Sequence, residues 1–363
     1  MNQLSLITLL ILTSLSFARK SPDRQLFTDS NLVISTPLWL NDAKGAYSLS
    51  FDDGFLSHYE IVFPLLTKYG FKGTFYIVTN SLVEKDQPYV WRTGSWPQFE
   101  EILKAGHEIG SHTVTHPDLT KINKDSMQRE IIESKQSIIN HLKVEPKSFS
   151  YPYTTFNKEV LAEISKHHNT ARSIGPSNNA NDSNDLSLAS TGFEYSEDRN
   201  IHNDTWVMEE VQNSIDNNII QSRAWGILLA HEVLPLETIN ASPTSYKPIS
   251  QETFILFLEG LKERQEMGQL WIETVSNIAE YRKYRRSIKL SSQKNENTYV
   301  FSKTTPLSTI QPESLTYRIK RKNQDHKIFI KLNKDWEELK FNRRGETLIN
   351  LDPSSKKIEI QIK

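Results

Sequence analysis

Short apolar runs alternate with amphipathic stretches over residues 46–286 of the 363-residue chain. Seven runs have the length of strands: AYSLSF (46–51), TFYIVT (74–79), HEIGS (107–111), SFSY (148–151), TARSI (170–174), WGILLA (225–230) and LWIET (270–274). Between them, residues 125–142 (with Asp125 as a candidate cap), 158–168 and 251–264 have helical periodicity. This alternation favours α/β architecture with parallel strands, in a barrel or an open sheet. In a barrel, the functional site belongs at the carboxyl ends of the strands.

Two other regions depart from this pattern. Residues 175–204 are polar and lack periodicity, which predicts a long loop on the rim of the barrel. Beyond residue 286, apolar residues alternate with Lys or Arg, which predicts a small antiparallel β-domain. Its basic face fits a solvated strand face better than a site for an acidic polymer. The predicted organisation is a leader (1–18), a lead-in (19–43), the barrel (44–288) and the β-domain (289–363).

The composition of the chain limits its possible location, metal ligands and binding partners. The first 18 residues are uncharged and apolar and end in Ser16-Phe17-Ala18, which predicts a signal peptide cut after Ala18 and a secreted or periplasmic protein. A membrane anchor is the competing reading, but the run is short for a span. The chain has no cysteine, so any metal must be held by His and carboxylates. A net charge of −1 gives no indication of nucleic acid or an anionic membrane as partner.

Several predicted strands end in polar groups that could form one site. The first strand ends in Asp52 and Asp53, and the third is followed by His112 and His116. Two imidazoles and a carboxylate suit Zn²⁺ or another divalent ion. One Asp could then bind the metal while the other accepts a proton from activated water, although the residues alone leave open which does which. The competing reading of DDG is an Asx-turn.

Two further residues are candidates on the same rim. His231 follows the sixth strand and could protonate a leaving amine or alkoxide, or be a structural histidine. Tyr153 could offer its backbone N–H to an oxyanion, or belong to an ordinary turn.

These segments resemble the polysaccharide deacetylases with a NodB-homology domain, carbohydrate esterase family four. The matching residues are SFDDG (50–54), GHEIGSHT leading into HTVTH (112–116), YPY (151–153) and LLAH (228–231). The resemblance covers residues 44–286 and implies a distorted (β/α) barrel of seven or eight strands that hydrolyses acetyl groups on sugars. It also implies the roles of the candidates: metal ligands Asp53, His112 and His116, base Asp52, acid His231 and oxyanion donor Tyr153.

The chain departs from the family pattern at one position. The family's fourth segment often begins with Arg, but Ser150 stands there, and we hypothesise that Arg172 reaches the base instead. The Asp that commonly partners the catalytic His has no evident counterpart.

The implied substrate is an acetylated glycan, with N-acetyl and O-acetyl groups both open. The implied cofactor is one divalent ion, Zn²⁺ first and Co²⁺ or Ni²⁺ as alternatives. Trp91, Trp96 and Trp225 are candidate sugar-stacking residues, and at least one of them is expected to lie in the core instead. Two other functions stay open: hydrolysis of a small non-sugar amide, and non-catalytic carbohydrate binding. The sequence leaves the oligomeric state open.

Overall fold

The structure is a computed structural model that describes residues 23–82, 93–175, 179–180, 183–192, 204–241, 248–304, 312–332 and 334–363. The predicted signal peptide and its cut after Ala18 lie outside these residues. Among the residues described, no helix combines the length and apolarity needed to cross a bilayer.

Strands and helices are numbered in chain order. The strands are β1 (Arg24–Thr28), β2 (Leu32–Thr36), β3 (Gly45–Phe51), β4 (Gly73–Ile77), β5 (Glu108–Ser111), β6 (Ser148–Ser150), β7 (Thr170–Arg172), β8 (Trp225–Ala230), β9 (Val233–Leu234), β10 (Ile249–Ser250), β11 (Leu270–Ile272), β12 (Lys289–Asn295), β13 (Thr298–Thr304), β14 (Leu315–Arg321), β15 (Ile328–Leu332), β16 (Asp335–Glu338), β17 (Glu346–Leu351) and β18 (Lys357–Ile362). The α-helices are α1 (Phe63–Tyr69), α2 (Trp96–Lys104), α3 (Lys124–Leu142), α4 (Lys158–Ile164), α5 (Asp204–Ser214), α6 (Leu236–Ala241), α7 (Gln251–Glu266) and α8 (Val275–Ser287). Two π-helical turns (His58–Val62, Ile215–Ile220) and two 3₁₀ turns (Leu40–Asp42, Pro152–Thr154) complete the described elements.

All seven predicted strands are present and form one parallel sheet. Its order is β11-β3-β4-β5-β6-β7, with β8 paired to β3 as well. Single bridges join Leu188 to Arg172 of β7 and Thr191 to Leu228 of β8, so the segment between them spans the gap between these strands. The prediction of a distorted α/β barrel is therefore confirmed. Residues 183–192 contain no helix or strand, as predicted for a loop, but their single bridges place this part of the loop between β7 and β8.

Helix α3 shows how the local sequence sets an element. Its buried positions include Met127, Ile131 and Ile138, which recur at helical spacing and face the core. The helix begins one residue before the predicted start, and Asn123 is the cap because its side chain accepts the N–H of Ser126. Asp125 lies inside the first turn instead, so its predicted role as cap was wrong.

Of the remaining strands, β9 and β10 form a two-stranded parallel sheet, and the others form two antiparallel sheets, of order β1-β2-β14-β17 and β12-β13-β18-β15-β16. The predicted antiparallel β-structure at the carboxyl-terminal end is therefore present. The N-terminal lead-in contributes to it, since β2 pairs with β14 along residues 32–35. Their shared core includes Tyr281 and Tyr284 of α8, which link this region to the barrel.

His168 makes the stability of the barrel sensitive to acid. The side chain is buried, its Nδ1 donates to the carbonyl of Pro146 at 3.1 Å, and burial lowers its pKa to about 3. Because an unfolded His has a pKa near 6.5, the unfolded chain takes up a proton below that pH while the folded chain stays neutral. The stabilisation is complete above pH 6.5 and is lost as the pH falls towards 3.

We expect His168→Phe to reduce the drop in free energy of unfolding between pH 7.5 and pH 5 by about 2 kcal/mol. Urea titrations of both proteins at the two pH values measure this difference. An identical drop in the wild-type chain and the variant would show that His168 does not contribute to the acid sensitivity.

Candidate active site

The predicted site residues lie together at the carboxyl ends of the parallel strands, because each directly follows or ends a buried strand. Asp52 and Asp53 follow β3, His112 follows β5, Tyr153 lies in the turn after β6, Arg172 ends β7 and His231 follows β8.

Asp53, His112 and His116 form a cluster that could hold a metal ion, with ligand atoms within 4.8 Å of one another. Oδ1 of Asp53 lies 3.5 Å from Nε2 of His112 and 3.6 Å from Nε2 of His116. Nδ1 of His112 donates to the carbonyl of Ser150 at 2.8 Å, which leaves its Nε2 as the free ligand atom facing Asp53. Two imidazole nitrogens and one carboxylate oxygen fit a divalent ion such as Zn²⁺.

The backbone around this cluster adopts uncommon conformations. Of the ten described non-glycine residues with positive φ, five lie here: Asp53 (75°), Thr113 (69°), His116 (62°), Tyr153 (54°) and Thr154 (59°). Left-handed backbone costs of order 1 kcal/mol or more at such residues and persists only where the surroundings impose it. Half of these residues thus lie at the end of the barrel that holds the candidate site, as is common around functional sites.

Asp52 borders the metal cluster, with Oδ2 3.8 Å from Nε2 of His112, but its main partner is Arg172. Its side chain is 5% exposed, both carboxylate oxygens contact Nη2 of Arg172, and Oδ2 accepts from Ser150 Oγ at 3.3 Å. Burial alone would raise the pKa of Asp52, but the positive charge of Arg172 and its hydrogen bonds to the carboxylate outweigh it and lower the pKa to about 2. Asp52 is therefore a carboxylate at neutral pH.

Arg172 contacts Asp52, the candidate base that the sequence analysis predicted it would reach. Its side chain is fully buried, Nη2 donates to Ser150 Oγ at 2.6 Å, and Nη1 donates to Ser190 Oγ at 3.1 Å. Ser150, at the position where the family often has Arg, instead bridges Arg172 and Asp52 with its hydroxyl. Sequence reasoning missed Ser190, which gives no local signal because it lies in a polar stretch.

His231 faces the cluster from the strand beside β3. Its Nε2 lies 3.9 Å from Asp53 Oδ2, and its carbonyl accepts a hydrogen bond from Nε2 of His58 at 2.9 Å. Burial lowers the pKa of His58 to about 4, so this ring is neutral and holds the backbone of His231 through one N–H.

Tyr153 is exposed beside the metal cluster. Its side chain is 60% exposed, and its ring lies edge-on to His116 with centroids 4.8 Å apart. The use of its backbone N–H as an oxyanion donor stays a prediction.

The predicted sugar-stacking role of two tryptophans was wrong. Trp225 is fully buried and its indole N–H donates to Ser48 Oγ, while Trp96 is buried in the core and stacks on His141. A ring buried against protein cannot offer its face to a sugar. Trp91 lies outside the described residues.

Residues 40–171 match the model of the polysaccharide deacetylase family. This part of the chain is therefore similar to the polysaccharide deacetylases. The match includes both Asp residues, both metal-site His residues and Tyr153, and it ends one residue before Arg172. Arg172 and His231 lie outside the match.

Proteins that are similar to this chain include larger ones. The chain is 25% identical over 325 residues to a gellan lyase of Bacillus sp., covering 86% of this chain and 12% of that protein. It is 30% identical over 118 residues to YxkH of Bacillus subtilis, assigned as a polysaccharide deacetylase, covering 32% of this chain and 40% of YxkH. The chain thus spans less than half the length of either relative.

A solved structure has the same fold. A Mycobacterium smegmatis protein assigned to the polysaccharide deacetylases superposes with a TM-score of 0.51 at 14% identity, covering 71% of this chain and 96% of that one. This likeness supports the barrel architecture and no finer property.

Proposed function

We propose that the chain is a metal-dependent deacetylase that hydrolyses acetyl groups on a polysaccharide or oligosaccharide. The observation that carries the proposal is the division between two neighbouring carboxylates. Asp53 forms the cluster with the two imidazoles, whereas both carboxylate oxygens of Asp52 contact Arg172. Two similar proteins are named for action on polysaccharides, one as a gellan lyase and the other, YxkH, as a polysaccharide deacetylase. These names support a glycan as the substrate.

Asp53, His112 and His116 would hold the metal, and Zn²⁺ is the first ion to test, followed by Co²⁺ and Ni²⁺. When bound, a divalent ion polarises a carbonyl and lowers the pKa of water. We assign the proton transfers and the binding of the oxyanion to side chains and backbone groups of the chain itself.

Asp52 would accept a proton at a carboxylate oxygen from the water that attacks the acetyl carbon. It stays ionised for this step because Arg172 holds it as a carboxylate. His231 would donate a proton from Nε2 to the leaving nitrogen or oxygen as the acetyl bond breaks, which completes the products, acetate and the free amine or hydroxyl. The backbone N–H of Tyr153 would hydrogen-bond the oxyanion.

A leaving amine needs the proton of His231 more than a leaving alkoxide does, because an amide nitrogen is the poorer leaving group. Removal of His231 should therefore slow the hydrolysis of N-acetyl substrates more than that of O-acetyl substrates. We also infer export, supported by the apolar first 18 residues.

Chelation is expected to abolish acetate release, and Zn²⁺ or Co²⁺ to restore it. The experiment uses the chain without its first 18 residues on N- and O-acetylated glycans and on small non-sugar amides, each with and without chelator. Chelator-sensitive release from a glycan supports the proposal. Release from small amides alone would instead identify an amidase, and metal binding without release from any compound would favour a carbohydrate-binding protein.

A further inference from the structure

The two imidazoles of the metal cluster lie on a tight loop, residues 112–116, which we call the ligand loop. Thr113 and His116 both have positive φ in this loop, at 69° and 62°. The β-branched Thr113 strongly disfavours that conformation, so the loop needs bonds that hold it.

Sheet strands and the loop itself fix part of the ligand loop. The N–H groups of Thr79 and Asn80, beyond the end of β4, donate to the carbonyls of Thr113 and Val114 at 3.2 and 3.0 Å. The N–H of His116 donates to Thr113 Oγ1 at 2.9 Å. The backbone N–H groups of Val114 and Thr115, at the tip of the loop, also need hydrogen-bond acceptors.

Glu130 of α3 accepts both of them. Its Oε2 receives the N–H groups of Val114 and Thr115, each at 2.9 Å, and its Oε1 receives the hydroxyl of Thr115 at 2.6 Å. One carboxylate thus makes three hydrogen bonds to two adjacent residues that lie between the metal-ligating histidines. Hydrogen bonds to a charged acceptor are stronger than neutral ones.

We infer that Glu130 is a positioning residue that sets metal affinity by holding the ligand loop in its strained conformation. The inference rests on the proposed function for its metal site. Glu130 is placed for this role by α3, whose buried neighbours Met127 and Ile131 fix the helix against the core. Without the carboxylate, the tip of the ligand loop can relax away from positive φ, and the two imidazoles lose their common orientation towards Asp53.

The test compares three variants in the whole chain with Co²⁺ or Zn²⁺ as the probe. Glu130→Ala is expected to weaken metal binding about 10- to 100-fold, the loss typical when a group that orients a metal ligand is removed. Glu130→Gln is expected to retain most of the affinity, because its amide oxygen can accept both N–H groups. Glu133→Ala, at an exposed position on the same helix, is the matched control and is expected to bind as the wild type does.

Dissociation constants come from competition with a chelator, and the Co²⁺ absorption spectrum reports the geometry of the ligands. The unfolding midpoint of the metal-free protein is measured in parallel. A lower midpoint with unchanged metal affinity in Glu130→Ala would mean a purely structural role and overturn the inference. Equal weakening in the Glu133→Ala control would overturn it as well.

Two further outcomes separate this inference from the proposed function. A wild-type chain that binds no metal overturns both. A wild-type chain that binds metal and loses no affinity in Glu130→Ala overturns only the inference. Should Glu130→Ala fail to fold, Thr115→Val removes one of the three hydrogen bonds and keeps the backbone, and an affinity equal to that of the wild type would count against the inference.

Discussion

Asp52→Asn is expected to lower kcat by about 10²- to 10⁴-fold, the range that a positioned general base contributes. The amide has nearly the shape of the carboxylate but cannot accept a proton from water at neutral pH. Metal affinity should persist, because the ligand atoms come from Asp53, His112 and His116. Acetate release under saturating substrate and metal, together with a metal titration, measures both quantities.

Asp53→Asn is the matched control, since it makes the same chemical change one residue along the chain. We expect it to lose activity because it loses metal affinity, and excess metal should restore part of the turnover. The two variants therefore fail for different reasons. An Asp52→Asn protein that kept more than about a tenth of the wild-type kcat would remove Asp52 from the role of base.

The barrel strands and the positions of the candidate residues could be predicted because their signals are local. Each strand is a short apolar run bounded by polar residues, and parallel strands bring their carboxyl ends to one edge. Asp52, His112 and His231 follow such runs directly, so their common location follows from the architecture. The assignment of individual roles to Asp52 and Asp53 needed the family resemblance.

Other features depend on distant residues and gave weaker signals. Ser190 reaches Arg172 only because its segment crosses the gap between β7 and β8. Strands β1 and β2 flank Asp29-Ser30-Asn31, a turn-like signal that could have been found, but their pairing with β14 could not. Glu130 and Glu133 look alike in the helical pattern, and only the fold shows that Glu130 meets the ligand loop.

Arg172→Met is expected to lower kcat about 10²-fold or more and to destabilise the fold. The change leaves Asp52 as a buried carboxylate without its cation, and breaking a buried ion pair from one side costs about 3–5 kcal/mol. The unpaired carboxylate then takes up a proton more readily or moves, and in either case it is a poorer base. Arg172→Lys keeps the charge but loses the bonds to Ser150 and Ser190, so we expect an intermediate loss.

Arg285→Met is the control for a purely structural effect of removing a buried Arg. Arg285 is also buried, but its Nε donates to the carbonyls of Thr36 and Pro37, away from the site. We expect Arg285→Met to lose stability and keep its kcat, whereas Arg172→Met loses both. In a further variant, Arg172→Ala, added guanidinium should restore part of the kcat. If both methionine variants lose the same stability and neither loses kcat, Arg172 holds the barrel together but does not position Asp52.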